Sequence, residues 1–141
     1  GPDLISDVYR KPILFLNYLP LNDMYSWSRT LNHPKNLVWE NTGKPLTLDE
    51  HLEYKFSHTE QYKNSGIKII NLSKEEILAT VEEGWKRLEG TWVDTKNDTK
   101  EQKKFWNMLI NHRNSSGHHG YIHEEAKISS IFLRSNANFL Q

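Results

Sequence analysis

The chain contains no cysteine. That absence excludes a disulfide framework, a thiolate metal site and cysteine catalysis, and it fits a reducing compartment. Charge of a single sign is missing too. The 18 basic and 18 acidic side chains cancel and neither gathers into a block, so no overall field draws the chain to nucleic acid or to an anionic membrane. Long apolar runs are absent: the longest, Ile13 to Leu16, is far short of a membrane span, and no signal-peptide pattern opens the chain. Hydrophobic residues make up only 36%, but 5 Trp, 6 Tyr and 5 Phe supply the large buried surfaces that a disordered chain lacks. At 141 residues the expectation is a single folded domain spanning 1–141.

Three Ser/Thr-x-x-Glu/Gln boxes mark helix starts, because each satisfies two otherwise unpaired backbone donors. They open at Thr47, Ser73 and Thr99. The Ser73 helix is expected to stop near Gly90 and to bury a stripe of Ile77, Val81, Trp85 and Leu88. Upstream, Leu4, Ile5 and Val8 at helical spacing predict a helix over residues 3–10, which Lys11-Pro12 ends. The run Ile13-Leu14-Phe15-Leu16 then predicts a strand buried on both faces, and Ile67 to Ile70 a second strand, parallel to it in the same sheet. Residues 17–46 show little periodicity, yet hold Tyr25, Trp27 and Trp39. They read as a long, packed, functional loop. A polar loop is expected over 112–120 and a last helix over 124–134, with Phe139-Leu140 as an anchor. The class is therefore helix-rich α/β with few strands.

Residue clusters that invite chemistry have plainer explanations. His112, His118, His119 and His123 beside Glu124 and Glu125 hold metal-ligand types, but adjacent histidines in a segment expected to be a polar loop do not easily reach one ion, and no tight metal is expected. The pairs Asp49/Glu50, Glu75/Glu76, Glu82/Glu83 and Glu124/Glu125 read mostly as caps or exposed helix faces. The helix start Gly1-Pro2-Asp3 directly before a buried strand carries unpaired N–H groups of the kind that suit a diphosphate. It reads either as a scar of tag removal or as the turn opening a helix in a longer protein. Either way, polypeptide is expected upstream.

The run Arg10-Lys11-Pro12-Ile13-Leu14-Phe15-Leu16-Asn17-Tyr18-Leu19-Pro20-Leu21, followed by Tyr25-Ser26-Trp27-Ser28, Pro34-Lys35-Asn36-Leu37-Val38-Trp39 and Gly43-Lys44-Pro45-Leu46-Thr47, resembles the C-terminal part of a little-characterised bacterial glycosyltransferase family. Glu75-Glu76-Ile77, Leu88-Glu89-Gly90-Thr91-Trp92 and Phe132-Leu133 continue the resemblance in matching order. Members lie near surface-polysaccharide genes. The resemblance implies a GT-B-like architecture, in which this chain is a partial Rossmann-like C-terminal portion that binds a nucleotide-sugar donor. An N-terminal domain of the same protein would complete the cleft. It implies a cytoplasmic location, at or near the inner face of the membrane, no cofactor and no bound metal, and it transfers no catalytic base. Donor contacts would come from Gly1, Ser6, Asn17, Tyr18, Ser26, Trp27 and Lys35: backbone and hydroxyl groups for phosphates, an aromatic ring for stacking, a cation for the leaving diphosphate. The alternative is a non-enzymatic protein-interaction domain that uses the Trp-rich 17–46 segment as its surface.

Overall fold

The computed structural model describes residues 1–115 and 121–141. In chain order the elements are α1 (Pro2–Val8), β1 (Ile13–Tyr18), a 3-10 turn (Leu21–Asp23), β2 (Thr30–Pro34), β3 (Asn36–Trp39), α2 (Leu48–Glu53) and α3 (Thr59–Asn64). There follow β4 (Ile67–Ile70), α4 (Lys74–Glu89), α5 (Lys96–Ser115), β5 (Lys127–Ile128) and α6 (Ser130–Ser135). The Thr47 and Ser73 boxes form as expected, each hydroxyl accepting from the Glu three residues on, whose carboxylate returns to the capping residue's N–H. Gly90 ends α4 in the left-handed region at φ 74°, open to glycine without a Cβ penalty.

The sheet differs from expectation. β1, β2 and β5 form a parallel three-stranded sheet in that order, whereas β4 pairs antiparallel with β3 in a separate ribbon. Ile13–Leu16 and Ile67–Ile70 are therefore not neighbours. β1's parallel partner comes from the segment read as a loop, where Thr30-Leu-Asn-His-Pro carries no apolar periodicity. β2 is nevertheless buried along its whole length. Its polar side chains are each tied at one atom: Asn32 Nδ2 donates to Thr30 Oγ1 at 3.1 Å, and His33 Nδ1 lies 2.6 Å from Thr80 Oγ1 on α4, while Asn32 Oδ1 and His33 Nε2 are buried without a partner among the described residues. Two further starts move. α5 opens at a Thr95 box, Asp98 accepting from Thr95 N at 2.7 Å, so Asp rather than the expected Gln closes the box. The predicted 124–134 helix splits into β5 and α6, with the Ser129 hydroxyl capping α6.

α4 lies on one face of the parallel sheet, where Gly84 sits against Leu14 and Leu31. The main core fills the other face and joins Leu21, Met24, Phe105, Leu109, Ile128, Phe132 and Phe139. Gln102 on α5 bonds both backbone groups of Ile128 and so occupies β5's open edge. A smaller core of Leu37, Leu46, Tyr62 and Ile67 lies under the ribbon.

β1, expected to be buried on both faces, is an edge strand with every residue half-buried. The apolar stripes beside it are uncovered: Leu4, Ile5 and Val8 on α1, and Leu78, Val81, Trp85 and Leu88 on α4, are exposed. Trp85 is 61% exposed and is not a core residue. Trp85→Ala is expected to change stability by less than about 1 kcal/mol, as exposed substitutions do. A denaturation midpoint that falls as far as it does for Phe105→Ala would place Trp85 in the core after all.

Candidate functional site

Open parallel sheets bind ligands beyond the carboxyl ends of their strands. Here β1 and β2 end at Tyr18 and Pro34, and the chain beyond them lines a crevice of about 310 Å3. Asn17 and Lys35 stand on the sheet side. Ser57, His58 and Thr59 face them from the start of α3, and Tyr62 and Ile69 form the apolar floor. The local geometry explains Asn17. The β1–β2 register slips between Leu16 and Tyr18, and Asn17 takes φ 57°, a left-handed conformation that Asn tolerates better than most residues. Its Oδ1 accepts from Leu72 N at 2.9 Å, which ties the strand end to the entrance of α4 and leaves Nδ2 as the amide's remaining donor. Lys35 N donates to Tyr18 O at 3.3 Å, and its ammonium makes no ion pair among the described residues.

The other expected donor contacts lie elsewhere. Tyr18 packs against the main core and donates its hydroxyl to Asp23 O at 2.7 Å, and burial followed by the nearby Asp23 charge pushes its pKa up to about 12. Ser26 is 1% exposed; its hydroxyl donates to Tyr121 O and accepts from Arg113 at 2.6 Å. That hydroxyl braces a loop. Trp27 is 47% exposed and donates Nε1 to Asp7 at 3.2 Å, and Tyr25 donates its hydroxyl to Asp3 at 2.6 Å while stacking on Phe15. Gly1 and Ser6 belong to the same α1 patch. A Cβ built on Gly1 would fall 2.6 Å from Asp3 Oδ1, so the Asp3 carboxylate already occupies the space over the helix start. The Tyr25 hydroxyl above all holds that carboxyl below its ordinary pKa, and an anion would meet its charge there.

A second cleft of about 230 Å3 opens between α4 and the amino ends of β1 and β2, lined by Pro12, Arg29, Trp85, Arg87 and Glu125 among others. It lies at the opposite end of the strands from the crevice. Among the described residues no group of three His, Asp or Glu side chains is placed to hold a metal ion, and His118 and His119 fall outside the described residues. No described helix is long and apolar enough to cross a membrane.

Sequence reasoning gave no weight to Ser57, His58 and Thr59, which carry no motif and reach Asn17 and Lys35 only through the fold. No family model, no curated protein and no solved structure matches the chain.

Proposed function

We propose that the chain is the donor-binding portion of a nucleotide-sugar-dependent glycosyltransferase, with the donor's diphosphate held in the crevice at the carboxyl ends of β1 and β2. The observation that carries this reading is the meeting of Asn17 and Lys35, far apart in their sequence surroundings, across one crevice at the sheet end that suits ligands. Lys35 offers a cation for charge on the leaving diphosphate, and Asn17 Nδ2, Ser57 and Thr59 offer neutral donors. Asp3 argues for the crevice over the α1 start as the phosphate position. The sugar transfer itself, in bacterial surface-polysaccharide synthesis, rests on the sequence resemblance. Further polypeptide of the same protein would form the facing wall, and the open β1 edge between the uncovered stripes of α1 and α4 is a surface suited to such packing.

Calorimetric titration of UDP-, GDP- and CDP-sugars into the chain tests the reading. Weak binding to one donor is expected, because half a cleft leaves phosphates hydrated. Lys35→Ala should lower the affinity about 10-fold or more, the usual worth of a charge-assisted bond. The alternative, a non-enzymatic interaction domain, draws on the uncovered α1 and α4 stripes rather than on the 17–46 segment, whose β2 is buried along its length and whose Trp39 is tied to Glu50. Absence of heat with every donor, or binding undiminished in both Lys35→Ala and Asn17→Ala, would favour it.

A further inference from the structure

The β3–β4 ribbon has two faces, and the crevice uses one. Antiparallel pairing sets Leu37 opposite Ile69 on that face and Asn36 opposite Ile70 on the other. On the second face lies a separate cleft of about 260 Å3, between the ribbon, α2, α4 and the end of α6. Its polar lining is Asn36, His51, Glu76, Ser135 and Asn136, over apolar walls that include Leu46 and Phe132.

His51 is the unexplained member. It is 3% exposed, its Nδ1 is buried without a hydrogen-bond partner among the described residues, and the ring packs edge-on against Phe139. An orphaned buried polar atom is costly, and a native structure that keeps one calls for a reason such as a bound group. Burial drives the imidazole pKa down to about 3, so the ring is neutral and offers one donor and one acceptor. Beside it, Glu76 accepts from Asn36 Nδ2 at 3.1 Å and from Ser73 N at 2.7 Å. Burial works to raise the Glu76 pKa, but these bonds outweigh it and hold the carboxylate ionised. Asn136 commits Nδ2 to Phe132 O at 2.8 Å and keeps its carbonyl oxygen. Among the described residues no Lys or Arg lines the cleft and its one charge is negative, so anions are disfavoured.

We infer that this cleft binds an uncharged polyhydroxylated molecule, a single sugar ring, against His51, Glu76, Asn36 and Asn136. Each hydroxyl donates and accepts at once, and the cleft sets donors and acceptors side by side above an apolar wall suited to a ring's C–H face. The inference stands apart from the nucleotide-sugar reading, which concerns the opposite face of the ribbon. NMR titration of the chain with methyl glycosides of glucose, galactose, mannose and N-acetylglucosamine tests it, with butylammonium and inorganic phosphate as charged probes. At least one glycoside is expected to shift the His51 ring nitrogens, the Asn36 side-chain amide and the Ile70 methyls while leaving Ile69 and Thr59 in place. His51→Phe should lower that affinity at least 10-fold and raise the thermal midpoint, since the orphaned nitrogen is gone and the packing remains. Glu76→Gln, which keeps the cap of α4, should weaken binding with little change in stability. The idea is overturned if no glycoside shifts these resonances, if butylammonium or phosphate shifts them more strongly, or if His51→Phe binds as well as the parent.

Discussion

Glu83→Ala is expected to destabilise the chain by about 3–5 kcal/mol, the range for leaving the partners of a buried charge unmatched. Glu83 is 0% exposed and sits in the middle of α4. Its carboxylate accepts from Ser130 N at 3.0 Å, Ile131 N at 3.3 Å and Ser129 Oγ at 3.0 Å, which places a negative charge on the first N–H groups of α6. Arg87, one turn on, pairs with it at 3.0 Å and packs over the Trp92 ring, which Arg134 also faces. Removing the carboxylate leaves two backbone donors and a guanidinium with less than they need. Glu83→Gln should lose roughly half as much, because the amide oxygen still accepts from the cap while the charge is gone. Urea denaturation of the two variants checks the order; a Glu83→Ala curve that overlays the parent would show that α6 does not depend on this cap.

Acid should unfold the chain in two stages. His33 and His51 are buried and neutral, with burial depressing their pKa values to about 4 and about 3. In the unfolded chain both return to about 6.5. As the pH falls below that value the unfolded state takes up protons that the folded state refuses, so stability drops with acidification. The slope is about 1.4 kcal/mol per pH unit for each ring. His51→Phe should remove one ring's share of it. Asp98 acts lower on the scale. Its bidentate pair with Arg134, at 2.6 and 2.9 Å, is the main cause that lowers its pKa to about 2, so its stabilising contribution is lost as pH falls from about 3.8 toward 2. Unfolding free energies measured between pH 7 and 4 check the histidine stage. A flat profile there would mean that neither ring is buried neutral, and one unaltered by His51→Phe would mean that His51 is not.

Local grammar was legible in the sequence, and long-range satisfaction was not. Thr47, Ser73 and Gly90 act through neighbours three or four residues away, and each ends or begins a helix where it should. β2 was hidden because its stability comes from partners such as Thr80, 47 residues from His33, that make a polar strand fit for burial. Glu83 read as one of a solvated pair for the same reason: its partners lie on α6. Trp85 misled in the opposite direction. Helical spacing marks an apolar stripe but does not name what covers it, and among the described residues nothing covers this one. At the crevice, Asn17 and Lys35 came from the family resemblance, since β2, which positions Lys35, was not legible as a strand. Ser57, His58 and Thr59 became visible only once the fold set the start of α3 across from the ends of β1 and β2.

Amide chemical-shift mapping with UDP as the probe tests the carboxyl-end crevice most directly. Shifts are predicted at Asn17, Lys35 and Ser57 to Thr59, saturable and much reduced in Lys35→Ala, with Gly1 to Ser6 and the cleft beside Trp85 unaffected. Saturable shifts confined to α1 or to the Trp85 cleft, or none at any position, would contradict the assignment of the ligand site to the ends of β1 and β2.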